Sequence, residues 1–188
     1  GPARAAVGKG QPLIVAEGYM DVIALSRAGF QGAVAPLGTA ITSEQLAAMW
    51  RLSPEPVIAL DGDAAGQRAA QRLIDLALPL TGPGQALRFV LLPAGQDPDD
   101  LIRVAGQGAM KALLDQARPL VDLLWSRETE GQRFDSTERK AALDRRLQQA
   151  IARIPDELPR RHYADEIRGK RWQLFGGRRQ PRGEGVRQ

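Results

Sequence analysis

The feature that most limits what this chain can fold into is an alternation of short apolar runs with stretches of helical spacing. The runs are Pro12-Leu13-Ile14-Val15-Ala16, Ala33-Val34-Ala35 after Gly29 and Gly32, Val57-Ile58-Ala59-Leu60, and Leu87 to Leu92 closed by Pro93. Each is too short for a helix and rich in β-branched or bulky side chains, which predicts strands. Between them, helices are predicted from Tyr19 through Val22, Ile23 and Leu25, from Ser43 through Leu46, Met49 and Trp50, over Ala64 to Leu78, and from near Asp99 through Leu101, Ile102 and Val104. Strand and helix in strict turn imply right-handed crossovers and a parallel sheet covered on both faces. Residues 12–117 are therefore expected to be one α/β domain.

Beyond Pro119 the strand pattern stops. Leu120, Val121, Leu123, Leu124 and Trp125 make an apolar helical stretch. Asp135 followed by Glu138 predicts a capping pair for a helix whose Leu143, Leu147, Ile151 and Ile154 form one stripe, and a last helix is expected from about Leu158 through Tyr163 and Ile167 to Leu174. These stripes read as packing surfaces of a small all-α subdomain over residues 118–175. Residues 1–11 are expected to be a leader, opening on Gly1-Pro2 as a protease-cleavage remnant would. Residues 176–188, rich in Arg, Gly, Pro and Gln, are expected to be a disordered tail.

The chain has 188 residues and no Cys, which excludes disulfides and thiolate metal sites and points to a reducing, cytoplasmic setting. No apolar run approaches the roughly 20 residues that span a bilayer, so no membrane partner is expected. The formal net charge of +4 is uneven: residues 1–116 carry 9 basic and 11 acidic side chains, residues 117–188 carry 17 and 11, giving −2 and +6. An acidic front and a basic rear suit a metal site beside a surface for a polyanion, although a solvated basic face gives the same count. Several arginines between Arg160 and Arg171 are expected to share one exposed face.

Acidic clusters follow three of the predicted strands: Glu17 and Asp21 in Glu17-Gly18-Tyr19-Met20-Asp21, the pair Asp61-Gly62-Asp63, and Asp97-Pro98-Asp99-Asp100. In an open parallel sheet ligands bind beyond the carboxyl ends of the strands, so these carboxylates are expected to converge. Two unit charges about 5 Å apart repel by roughly 3 kcal/mol at an effective dielectric of about 20, and several such pairs require a cation. An all-oxygen set suits Mg²⁺ or Mn²⁺, whereas the missing Cys and the single His162, far along the chain, argue against zinc. Aspartates at strand ends also serve as turn residues and helix N-caps. Leu37-Gly38-Thr39-Ala40 follows a strand too, and is equally compatible with a phosphate contact through Gly38 and Thr39 or with an ordinary turn. Two cations here could make or break a phosphodiester bond, and the pattern alone does not choose.

The succession Glu17-Gly18-Tyr19-Met20-Asp21, Leu37-Gly38-Thr39-Ala40, Asp61-Gly62-Asp63-Ala64-Ala65-Gly66, and Leu92-Pro93 through Asp97-Pro98-Asp99-Asp100 resembles, in order and spacing, the Toprim domain of bacterial DnaG-type DNA primases. The resemblance is strong over about residues 12–105, and the helices that follow resemble the helical part of the primase RNA polymerase core. It implies a Toprim-like sheet sandwiched by helices. It also implies that Glu17, Asp61 and Asp63 are the principal catalytic and metal-binding acids, with Asp21, Asp97 and Asp99 completing a pocket for two or more Mg²⁺ or Mn²⁺ ions and Glu17 serving in acid–base transfer. The implied activity is that of a DNA-directed RNA polymerase, a nucleotidyltransferase of the primosome that makes short RNA primers for DNA replication. Its implied partners are a single-stranded DNA template, ribonucleoside triphosphates and, through a domain outside this sequence, the replicative helicase. The zinc-binding module and the basic subdomain that precedes Toprim in primases are also outside it, so the piece alone is expected to be inactive or weakly active. Where many primases place Glu, this chain has Gln96. Two other readings stand beside it: a Toprim module that only binds metal, nucleotide or nucleic acid in recombination or regulation, and a phosphatase with an Asp61-Gly62-Asp63 nucleophile, which leaves Glu17 and the Asp97 cluster unexplained.

Overall fold

Strands form at each of the four apolar runs, and the one over Val57 to Leu60 is buried throughout. In the computed structural model, which describes residues 1–36 and 40–176, β1 is Ile14–Val15, β2 Ala33–Val34, β3 Val57–Leu60 and β4 Arg88–Leu91. The helices between them are α2 (Tyr19–Arg27), α3 (Ser43–Leu52) and α4 (Ala64–Ala77), the last followed by a 3₁₀ turn at Leu78–Leu80. Then come α5 (Pro98–Asp115), β5 (Arg118–Pro119), α6 (Leu120–Thr129), α7 (Thr137–Ala152) and α8 (Glu157–Phe175). Ahead of β1, in the stretch expected to be a leader, Pro2–Gly8 forms helix α1 with Ala6 buried. Residues 177–188, most of the expected tail, lie outside the described residues.

The strand order is β2-β1-β3-β4-β5. The first four are parallel, with Val15 opposite Val34 and Ile58, and Leu60 opposite Leu91. The sheet is nonetheless mixed, because β5 pairs antiparallel with β4, Phe89 facing Arg118. Alternate residues of each strand feed different layers, as a pleated strand requires. Leu13, Val15, Ile58, Leu60 and Phe89 point toward α3 and α4, while Ile14, Ala16, Val57, Ala59 and Val90 point toward α2 and α5. Position Gly106 of α5, at φ 83°, breaks the helical run, a conformation that glycine adopts without strain.

The three helices expected as a separate lobe share the larger of these layers. Leu120, Leu124, Leu143, Leu147, Ile151 and Ile167 belong to the same buried cluster as Leu13, Ile58 and Phe89. Polar ties fix the orientation: Arg127 and Arg153, from α6 and the end of α7, both reach Asp75 of α4 at 2.9 Å. Arg171 of α8 grips Asp144 of α7 with two bonds, at 2.7 and 2.9 Å, and Lys170 meets Asp122 of α6 at 2.7 Å. The start of α7 differs from expectation: Ser136 is the N-cap, accepting from the Arg139 N–H, and Asp135 instead pairs with Arg133 and Arg139. Arg160, Arg161, Arg168 and Arg171 do share one side of α8 by helical spacing. Each is engaged within the chain, with the Ile154 carbonyl, Glu157, Asp165 and Asp144 respectively.

Because one cluster spans both parts, Leu124→Ala should cost about 2–5 kcal/mol and lower the stability of sheet and helices together. Urea unfolding followed by far-ultraviolet dichroism and by tryptophan emission should show coincident, left-shifted transitions. Separate transitions would show that the helical part holds itself.

Candidate active site

The sheet order turns at β1: the chain passes from β1 to β2 on one side and then crosses to β3 on the other. This is the switch point at which open α/β sheets leave a crevice beyond the strand ends. Glu17 stands just past β1 and Asp61 just past β3, and the Asp61 N–H donates to Glu17 Oε2 at 3.3 Å. Asp21, in the first turn of α2, is only 5 % exposed. Its Oδ1 accepts from the Asp99 N–H at 3.2 Å, which joins the start of α2 to the start of α5. Asp97 is the N-cap of α5: its Oδ1 accepts from the Asp100 N–H at 2.7 Å, while the Asp97 N–H donates to Asp100 Oδ2 at 3.2 Å. Asp63 is the N-cap of α4, accepting from the Gly66 N–H at 2.7 Å.

The loops that carry these acids are laced through their main chains. The Gly62 N–H donates to the Gln96 carbonyl at 2.9 Å, and the Gly95 N–H donates to the Gly62 carbonyl at 2.8 Å. A Cβ at Gly62 would be driven into the Pro93 carbonyl, and one at Gly66 into the Asp61 carbonyl. Glycine is required at both places so that the β3–α4 turn can lie against its neighbours.

The carboxylates feel one another through this geometry. Burial pushes Asp61 up to about 8, reinforced by a hydrogen bond with the Glu17 side chain and by the charges of Glu17, Asp21 and Asp97. Asp21 is raised to about 6, chiefly by burial; the Asp99 N–H opposes this, and the charge of Asp97 adds to it. Asp100, half-buried, is lowered, first by the Asp97 N–H and then by Arg103. Asp61 thus holds a proton near neutrality, and its Oδ1 is buried with no hydrogen-bond partner among the described residues. An orphaned carboxylate oxygen inside a cluster of like charge fits a hard cation.

Glu17, Asp21, Asp61, Asp97 and Asp99 are therefore brought into one electrostatic cluster. Asp63 lies at its exposed rim, with one oxygen committed to capping. Among the described residues no three acidic or imidazole side chains are gathered tightly enough to form a metal shell unaided. Waters and ligand oxygens would have to complete the shell, the usual manner of Mg²⁺. Gly38 and Thr39 lie outside the described residues. His162 is exposed on α8. Sequence reasoning missed a cavity of about 560 Å³ that begins at Glu17 and runs under β1 and β3, lined by Ile41, Leu60 and Leu73 with Arg72 as its cation. No motif signalled it, because Arg72 reads as an ordinary exposed residue of α4.

A family model described as the Toprim domain matches residues 11–89, and one described as the DnaB-helicase binding domain of primase matches residues 121–170. The helicase-binding expectation lay outside the sequence, whereas this second match lies within it. The chain is 39 % identical over 160 residues to a DNA primase of Rickettsia felis, a match that covers 85 % of the chain and 27 % of that protein. A DNA primase of Escherichia coli K12 is 37 % identical over 158 residues, again with 27 % of its length covered. The chain thus spans about a quarter of the curated relatives it matches. Among solved structures, a DNA primase domain from Pseudomonas aeruginosa superposes with a TM-score of 0.82 at 35 % identity, covering 93 % of this chain and 54 % of that one. No helix among the described residues is long and apolar enough to cross a membrane.

The raised carboxyls dictate a pH dependence. With the folded values near 8 for Asp61 and 6 for Asp21 against 3.8 ordinarily, the folded state binds more protons than the unfolded one between these limits. Stability is then greatest below about 4 on their account and falls as pH rises toward 8. In a chelator, the thermal midpoint should drop over that range. Asp61→Asn should flatten the drop and raise the midpoint at pH 8 by a few degrees, at about 2–4 °C per kcal/mol. An unchanged pH profile would contradict the buried acid pair.

Proposed function

The chain carries the Toprim domain and the following helical part of the DnaG-type primase catalytic core, and from this premise we propose that it supplies the metal-binding acids for primer RNA synthesis on single-stranded DNA. The observation that carries the reading is the Glu17 and Asp61 pair at the switch point, one oxygen of which has no partner among the described residues. Asp61 and Glu17 would hold one cation between them, and Asp21, Asp97 and Asp99 would enlarge the field for a second. When bound, Mg²⁺ or Mn²⁺ neutralises the triphosphate and the departing pyrophosphate. Asp63, at the exposed rim, would offer to a cation the carboxylate oxygen that it does not spend on the Gly66 N–H. Glu17, held in place by the Asp61 N–H, takes the proton of the attacking 3′-hydroxyl. Asp21 is itself buried although Tyr19 and Met20 beside it are exposed, and its Oδ1 ties the start of α2 to the start of α5 at the edge of the crevice.

A solved relative described as a DnaG primase catalytic domain bound to ssDNA supports the setting, with a TM-score of 0.77 at 35 % identity, covering 85 % of this chain and 51 % of that one. We extend its strand to this chain as the template, and ribonucleoside triphosphates as substrates. The match over residues 121–170 supports α6 to α8 as a helicase-facing part.

Manganese titration followed by electron paramagnetic resonance should show binding to the chain, weakened about tenfold or more by Asp61→Ala. With the upstream part of a primase core supplied, Glu17→Gln should lower the rate of primer synthesis by about 10²–10⁴ while leaving template binding intact. Unaltered manganese binding in Asp61→Ala would remove the proposed site. Primer synthesis at the normal rate in Glu17→Gln would remove Glu17 from proton transfer.

A further inference from the structure

A second cavity, of about 320 Å³, lies in the helical part at the junction of α6 and α7. Arg133, Arg139 and Arg146 line it together with Phe134, and no carboxylate is among its lining residues. The acids that pair with these arginines are each shared. Asp135 takes Arg133 at 2.8 Å and Arg139 at 3.2 Å. Glu128 takes Arg146 at 2.9 Å and Arg127 at 3.1 Å. Arg127 and Arg153 then converge on Asp75, so the ion pairs form two separate sets, Arg133 and Arg139 on Asp135, and Arg146, Arg127 and Arg153 on Glu128 and Asp75, each with one more guanidinium than carboxylate.

The remaining donors are placed for an anion. A guanidinium offers five N–H groups, and Arg133 spends one of them on Asp135. The guanidiniums are held by their shared acids, so little of their freedom would be lost on binding. Arg139 rises from the first turn of α7, whose N-terminal dipole adds to the positive field there, and Arg146 lies two turns further along the helix. Phe134 is fixed by an edge contact with Phe175, ring centres 5.7 Å apart, and its ring forms an apolar wall of the cavity. Guanidinium forks suit phosphate oxygens, and an aromatic wall beside them suits a sugar or base.

We propose that this cavity is a phosphate-binding site for the backbone of a single nucleic-acid strand, held by Arg133 and Arg139 with Arg146 behind them. It is separate from the acidic crevice and needs no divalent cation. The site gives the basic rear of the chain a specific place to meet a polyanion, on the loop between α6 and α7 and the N-terminal part of α7.

The test is binding of a fluorescein-labelled oligodeoxythymidylate, read by anisotropy in EDTA so that the acidic crevice takes no part. Arg133 and Arg139 are 77 % and 52 % exposed, so R133A/R139A should keep the wild-type dichroism and thermal midpoint. The double variant is expected to bind roughly tenfold or more weakly at 0.1 M salt, and its salt slope should fall by about 0.7 for each phosphate that is no longer neutralised. Hydrogen exchange over residues 131–146 should slow when the oligonucleotide is added to the wild type. Unchanged affinity and slope would overturn the proposal. So would dependence of ATP binding, and not of oligonucleotide binding, on the two arginines, since the site would then serve free nucleotides.

Discussion

Strand β3 is the constraint on which the rest depends. It is hydrogen-bonded on both edges, to β1 and β4, and all four of its residues are buried. A strand so enclosed must be apolar throughout, and its first opportunity to carry charge is the residue after it leaves the sheet. That residue is Asp61. The same exclusion of water that stabilises Val57 to Leu60 leaves Asp61 half-desolvated beside Glu17, so packing and electrostatics at the site have one origin. Removing the strand's dryness would relieve the acid and dissolve both layers of the core.

The second determinant is the way loops are held. Acids of one sign do not assemble by attraction; they are carried together by backbone geometry fixed elsewhere. Here the carriers are helix starts: Asp97 and Asp63 each satisfy amide groups of the helix they begin, and Asp21 accepts from the first turn of α5. Capping and ligand binding are thus not alternatives for these residues. A cap uses one carboxylate oxygen and sets the direction of the other.

Much of this was legible in the sequence, for a physical reason. The dry strands β1 and β3 leave a continuous apolar signature, and β4, despite Arg88 and an exposed Leu91, is apolar enough in sequence to be placed with them, along with the acids that follow. Strand β5 left no such trace. Arg118 and Pro119 are two residues at a sheet edge, where proline is tolerated because its missing N–H is not needed. The cap of α7 fell one residue from the expected place because Asp135 is drawn to two arginines, leaving Ser136 to accept the amide. Apolar stripes on α6 and α7 showed that these helices pack without showing against what, and the answer was the layer already built on β1 and β3. Spacing likewise could not reveal that Asp61 retains an unpaired oxygen while Asp63 spends one on Gly66, since both read as strand-end aspartates.

The reciprocal bonds between Gly62 and the loop from Pro93 to Asp97 set different rules of change for neighbouring positions. An inserted residue in either loop adds about 3.8 Å of chain and would pull both bonds out of register, so the two loop lengths can drift only together. The side chain at position 96 is under no such rule. It is the Gln96 carbonyl that receives the Gly62 N–H, while its side-chain Oε1 has no partner among the described residues. The fold therefore keeps shape and charge separate: the main chain at 96 fixes the distance between acidic loops, and the side chain is a position where a lineage can add or remove one negative charge without moving the others.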